Sequence, residues 1–266
     1  MTNAAATPAT NQAAVLHGLG GQDGRLDVVL IHGFGADRLS WLANAPDLFD
    51  AFKMWAVDLP GHGEAEPLSG DTSLAGLADA VIAALDPLGP NPFHLVGHSL
   101  GGAIAIEMAA RVPERIRSIS LIAPAGLGKG VDGDFLELFP QLREADDALA
   151  LLQRLVTRPR LINPPMVAHV LKHLEKPGRR TALAAAALAL RAIETDLADA
   201  VAAVGKSDIP RMTIWGAADT INPLDPEKLA AFGGEQHIVA AAGHMPQIED
   251  FKAVNGWLRT FLTAHS

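Results

Sequence analysis

The 266-residue sequence contains no cysteine and no tyrosine. Without cysteine there is no disulfide, no thiolate nucleophile and no cysteine-based metal site, although the compartment is not fixed by that absence. Without tyrosine, no phenol can act as an acid or electrophile. No apolar run reaches the length of a membrane span. The nearest, residues 182–190, is short and alanine-rich, and Arg179, Arg180 and Arg191 bracket it. Dense Lys/Arg clusters are absent and the formal net charge is −9, which argues against a nucleic-acid surface. Residues 1–14 have neither the positive start nor the apolar stretch of a secretory signal and read as a flexible leader. A cytoplasmic protein is the expectation. No grouping of histidines and carboxylates has metal-ligand spacing. His169 and His173 lie i,i+4, but Val170 stands where a zincin helix carries its Glu, so the pair reads as a solvated face. Neither a metal nor a cofactor is expected, and neither a nucleic-acid nor a membrane partner.

What is present alternates. Apolar strand-like runs at Val15–His17, Asp27–Ile31, Lys53–Val57, Phe93–Val96, Arg117–Ala123, Arg211–Trp215 and Gln236–Val239 are separated by helical patterns. Gly18–Gly24 reads as a hairpin connection, and Asp37–Phe49 as a helix broken at Pro46. From Leu74 to Leu88, residues Leu74, Leu77, Ala78, Val81, Ile82 and Leu85 share one helical face, with Ser73 or Thr72 as cap. The strand runs are continuously apolar, as in a parallel sheet covered on both faces. The rhythm stops after Pro124. Residues 126–205 hold helical patterns only: Phe135–Leu142, Ala145–Thr157, Pro164–Glu175 and Arg179–Val204. A helical block between two strands of such a sheet reads as a cap on the ligand side, beyond the strands' carboxyl ends. The expected fold class is α/β, with a core of residues 15–125 and 206–266 and a cap of residues 126–205.

The chemistry centres on Gly97-His98-Ser99-Leu100-Gly101, between a strand run and the helical run Gly102–Ala110. This is G-x-S-x-G at a strand-to-helix turn, which strains the serine backbone and projects its Oγ from the top of the sheet. Asp219 and His244 also lie just past predicted strand ends, and the order Ser, acid, His is that of the hydrolase-fold triad. A serine hydroxyl needs a base within hydrogen-bond reach. An imidazole titrates near neutrality, so His244 can take the proton and return it to a leaving group. Asp219 would hold the imidazole tautomer; Asp225 and Asp196 are the alternative acids. Backbone N–H groups of Leu100 and of Phe34, in His32-Gly33-Phe34-Gly35, are the expected oxyanion donors. His32, His62 and His98 read as structural or pocket-wall residues, and His98 and Phe34 as substrate contacts.

With these residues the chain resembles an α/β-hydrolase-fold protein from about Val15 onward. The resemblance rests on His32–Gly35, Asp58-Leu59-Pro60-Gly61-His62-Gly63, Gly97–Gly102, Trp215–Asp219 and Gly243-His244-Met245. It implies a serine nucleophile, and Ser99 in the elbow argues against haloalkane dehalogenase and epoxide hydrolase chemistry. Leu121–Gly128, Val131–Phe135 and Gly243–Glu249 are similar to the hydrolase-like portion of acetoin dehydrogenase E2 subunits. Those proteins are dihydrolipoyl acyltransferases with an N-terminal lipoyl domain. Only 14 residues precede Val15 here, so an acyltransferase role is expected to need an acyl-lipoyl group from another chain. The glycine-rich segment after Leu121 also resembles C–C bond hydrolases of aromatic ring-fission pathways. The expected substrate is a small acyl ester or thioester held in a mainly apolar pocket, with acyl transfer, C–C hydrolysis and ligand binding without chemistry as the other readings.

Overall fold

The structure, a computed structural model, describes residues 13–266. The leader expected for residues 1–14 therefore lies mostly outside the described residues, and Ala14 is already buried against the core. Seven strands form one sheet in the order β1-β3-β2-β4-β5-β6-β7. They are β1 (Val15–Gly20), β2 (Asp27–Ile31), β3 (Lys53–Asp58), β4 (Phe93–His98), β5 (Ile116–Ile122), β6 (Arg211–Gly216) and β7 (Glu235–Val239). All neighbouring pairs are parallel except β1 with β3. Parallel pairing sends the ends of β2, β4, β5, β6 and β7 to one edge, which is why residues far apart in sequence can meet there.

Successive strand residues serve opposite faces of the sheet. Val29 and Ile31 pack into one core cluster with helices α1 (Leu74–Ala84) and α2 (Leu100–Arg111). Val28 and Leu30 pack into the other, with the closing helix (Phe251–Ala264). β4 is buried along its whole length. Ser73 caps α1 by accepting from the Gly76 N–H.

Two expectations fail near the N-terminus. Gly18–Gly24 is not a hairpin turn, because β1 crosses to the free edge of β3 and is not a neighbour of β2. Asp37–Phe49 is not an α-helix but two 3-10 turns, Arg38–Trp41 and Ala45–Leu48. Asp37 caps the first by accepting from the Leu39 N–H. Pro46 opens the second, where its missing N–H costs nothing but a continuous helix would lose a bond.

Between β5 and β6 the chain is helical: α3 (Gly133–Leu138), α4 (Ala145–Gln153), α5 (Pro164–Leu174), α6 (Arg179–Asp196) and α7 (Ala198–Lys206). The single helix expected from Arg179 to Val204 is divided at Leu197, whose side chain is buried against the core and fills the space beside Gly126. α7 packs against α2. After β6 follow α8 (Pro226–Phe232), α9 (Pro246–Glu249) and α10, the closing helix.

Candidate active site

Ser99 sits between β4 and α2 with φ +53° and ψ −115°. This is a conformation that side chains rarely adopt, at a cost of about 1–3 kcal/mol. Close packing holds it there. A Cβ on Gly97 would lie 2.4 Å from the Gly101 carbonyl oxygen, and one on Gly101 would lie 2.2 Å from that of Ile31. Only glycine lets the elbow approach its own helix and the neighbouring strand so closely. The Ser99 N–H donates to the Ile122 carbonyl at 2.9 Å, which ties the elbow to β5. Its hydroxyl does not cap α2, so it is left to the cavity that Ser99 lines.

His244 and Asp219 follow β7 and β6. The His244 Nδ1–H donates to Asp219 Oδ2 at 2.8 Å, with both residues almost wholly buried. The other carboxylate oxygen accepts from the N–H groups of Ile221 and Asn222, each at 2.9 Å. Asp219 thus makes the turn after β6 and holds the imidazole at once. Asn222 fixes that turn in place: its side-chain amide donates to the Ala123 and Pro124 carbonyls, and its own carbonyl accepts from the Trp215 indole. With Nδ1 engaged, His244 Nε2 makes no hydrogen bond to any described residue and belongs to the cavity wall with Ser99. The alternative acids are elsewhere. Asp225 caps α8, and Asp196 is exposed at the end of α6.

The N–H groups of Phe34 and Leu100 donate to no described residue. Leu100 opens α2, where the first N–H groups have no intrahelical partner and the helix dipole favours negative charge. The Phe34 loop is held from below by two buried histidines. His32 accepts from the Leu59 N–H at 3.1 Å and donates through Nδ1 to the Gly33 carbonyl at 2.8 Å. His62 donates to the Pro60 carbonyl at 2.9 Å and accepts from the Gly35 N–H at 3.1 Å. Each uses one ring nitrogen as acceptor, so each must be neutral. Burial lowers both pKa values, His62 well below the ordinary histidine range. His98, the residue before Ser99, packs its ring against that of His244, with 4.9 Å between centroids. Its Nε2–H donates to the His244 carbonyl at 2.9 Å, and burial, then the nearby His244, push it down to about 3. His98 lines the cavity, but its ring is committed to the histidine loop.

At the end of β3, buried Asp58 accepts from the Arg38 N–H and guanidinium, each at 2.8 Å, and from the Glu64 N–H at 2.9 Å. Burial alone would raise its pKa, but these N–H groups hold it below the usual carboxylate range.

The cavity has a volume of about 560 Å³. Its far wall comes from the helical segment: Phe135, Phe139, Leu152, Leu155 and Met166 face Phe34, Ile221 and Met245. Neither lysine nor arginine lines it among the described residues, and Asp37 is its one carboxylate. His169 is exposed, as expected of a solvated face, whereas His173 is not. His169 meets Asp37 Oδ2 at 2.5 Å, and His173 is buried with its Nε2–H on the Gly61 carbonyl at 3.3 Å. The helix lays His173 against the core loops while His169 stays at the surface, a split that i,i+4 spacing alone does not reveal. Glu249 is a further buried carboxylate, joined to Gly243 and Thr157. It lies in the Gly243–Glu249 run, where its acidity beside apolar residues is the only signal. Among the described residues no group of three metal-ligating side chains converges, and no helix is long and apolar enough to cross a membrane.

A family model described as "Alpha/beta hydrolase family" matches residues 28–257. The chain is 35% identical, over 93% of its length, to the dihydrolipoyllysine-residue acetyltransferase component of the acetoin cleaving system of Pseudomonas putida, and spans 66% of that protein. It is 30% identical, over 88% of its length, to a pimeloyl-[acyl-carrier protein] methyl ester esterase of Neisseria meningitidis, 93% of which is covered. The solved structure of 2-hydroxy-6-oxo-6-phenylhexa-2,4-dienoate hydrolase from Rhodococcus sp. strain RHA1 superposes with a TM-score of 0.80 at 22% identity, covering 91% of this chain and 92% of that one.

Proposed function

The chain belongs to the alpha/beta hydrolase family, and on that premise we propose that it is a serine hydrolase that cleaves a small, uncharged acyl ester or thioester. The observation that carries the reading is a strained serine and a buried His–Asp hydrogen bond on one cavity. Ser99 Oγ attacks the substrate carbonyl carbon while His244 Nε2 takes the hydroxyl proton. The oxyanion that forms is met by the Phe34 and Leu100 N–H groups, worth roughly 3 kcal/mol each. The carbonyl re-forms, the C–O or C–S bond breaks, and His244 returns the proton to the leaving alkoxide or thiolate. Water, deprotonated by the same histidine, then releases the acid and frees Ser99. Asp219 holds the imidazole in the required tautomer and stabilises the imidazolium. Residues 126–205 act as a cap that excludes bulk water and strengthens the hydrogen bonds to the oxyanion. The enzyme works on a small molecule in the cytoplasm and needs no cofactor.

Acyl transfer is the second reading, favoured by the 35% identity to an acetyltransferase component. A thiol would replace water in the second half-reaction, with the same residues moving the same protons. C–C hydrolysis of a dienoate fits less well. Such a substrate carries a carboxylate, and among the described residues the cavity offers no lysine or arginine and already holds Asp37. Ligand binding without chemistry has no use for a strained serine.

The test is a matched ester pair with and without dihydrolipoamide. p-Nitrophenyl butyrate should exceed the anionic mono-p-nitrophenyl glutarate by about a hundredfold in kcat/KM, the scale of an unpaired buried carboxylate costing about 3 kcal/mol. Equal turnover, or preference for the anionic ester, contradicts the substrate class. S-acetyl dihydrolipoamide formed from an acetyl thioester faster than acetate selects the transferase reading.

A further inference from the structure

Glu249 is a buried carboxylate that the reaction above does not use. It lies 7% exposed at the end of α9, between the helical segment and the loop that carries His244. Oε1 accepts from the Thr157 N–H at 2.8 Å, and Oε2 from the Gly243 N–H at 2.5 Å. The Thr157 hydroxyl, with one proton to give, lies 2.6 Å from Oε1 and 2.7 Å from the Ala241 carbonyl. The Arg158 guanidinium donates to the Glu249 carbonyl. One residue on, the His244 N–H donates to the Leu155 carbonyl at 2.9 Å. Two consecutive peptide N–H groups before the imidazole are thus held by residues 155–158 of the helical segment or by the carboxylate shared with it. The Leu155 side chain in turn lines the cavity.

We infer that Glu249 is a positioning residue that locks the helical segment onto the histidine loop, so that the placement of His244 depends on how Leu155 is seated. The inference rests on the serine-hydrolase reading. An acyl group long enough to press on Leu155 seats the segment from within the cavity. A short one leaves that task to Glu249. Glu249 therefore makes turnover of short acyl groups efficient, and its loss is partly offset by longer ones.

The isosteric variant Glu249→Gln tests this. Its amide oxygen can still accept from Thr157, but its NH₂ then faces the Gly243 N–H, two donors with no acceptor. With p-nitrophenyl esters from acetate to hexanoate, kcat for acetate should fall about tenfold to hundredfold, the scale of a small misplacement of a reacting group. KM should hardly move, and the loss should shrink as the chain lengthens. A loss equal at every chain length, a rise in KM alone, or no change overturns the inference. If Glu249→Gln does not fold, Thr157→Val removes only the hydroxyl. It should give a smaller loss with the same chain-length trend, and a flat series overturns the inference. Ser99→Ala is run alongside. Turnover by that variant at the wild-type rate overturns the hydrolase reading and this inference with it. An inactive Ser99→Ala beside a Glu249→Gln without chain-length dependence overturns the inference alone.

Discussion

The near and far walls of the cavity are built by different physics. On the near wall, Ser99, Asp219 and His244 leave the sheet edge on turns fixed by directional bonds: Ser99 N–H to Ile122, Asp219 to Ile221 and Asn222, and His98 to the His244 carbonyl. On the far wall, Phe135, Phe139, Leu152 and Leu155 are held by one another in a separate apolar cluster. Hydrogen bonds set distances and angles within tenths of an ångström, as proton transfer requires. Apolar contacts are non-directional and tolerate exchange of shape at conserved volume. In the proposed reaction the near wall therefore specifies the chemistry, and the far wall is where substrate size can change at little cost to the fold. Polar ties also cross between them, His169 to Asp37 and the His244 N–H to the Leu155 carbonyl among them. Glu249 with Thr157 lies on one side, and Lys176 and His173 on the Gly61–Gly63 loop on the other.

Asp219→Asn breaks the near wall most sharply. The volume stays the same, but Asn can present an N–H where His244 needs an acceptor, and the imidazole loses its required tautomer. We expect kcat to fall about 10⁴-fold with KM nearly unchanged, as for the corresponding change in serine proteases. A loss under tenfold, read by steady-state kinetics, would move the acid elsewhere.

Acid sharpens the comparison with a smaller effect. His32, His62 and His98 lie under the near wall, and burial lowers all three pKa values. His173, from the far wall, is pushed down to about 4, mainly by burial. Groups whose folded pKa is depressed leave the unfolded chain binding more protons, so stability falls as pH falls. Their contribution is complete above about pH 6.5, the unfolded histidine value, and is lost progressively toward pH 4. The melting temperature should be flat from pH 7 to 8 and decline below 6.5. His62→Gln, which keeps an acceptor for the Gly35 N–H, should reduce the slope. A melting temperature that rises on acidification would refute the neutral assignment.

The same division governed what the sequence could disclose. β4, the elbow and the two strand-end residues were legible, because a parallel sheet turns distant strand ends into neighbours and the elbow's glycines are steric necessities. Asp219 could be placed for the same reason, although its second role in the turn could not. The Asp37–Phe49 stretch misled because its apolar spacing is helical while Pro46 and the Asp37 cap favour 3-10 turns. β1 misled because a glycine-rich link suggests a hairpin but does not say which strand edge is free. The helical segment was legible as helices and illegible as a surface. Periodicity shows that a face is buried, not against what, so the burial of His173 and the clasp at Glu249 required the structure.

In the proposed reaction Ser99 carries the acyl group. Mass spectrometry of peptides from protein quenched after brief exposure to a fluorophosphonate, and in parallel to p-nitrophenyl butyrate, tests it most directly. The phosphonyl group is expected on the Ser99 peptide in the first sample and a butyryl group on the same peptide in the second. Folded, active protein that turns over the ester while Ser99 stays unlabelled would contradict it.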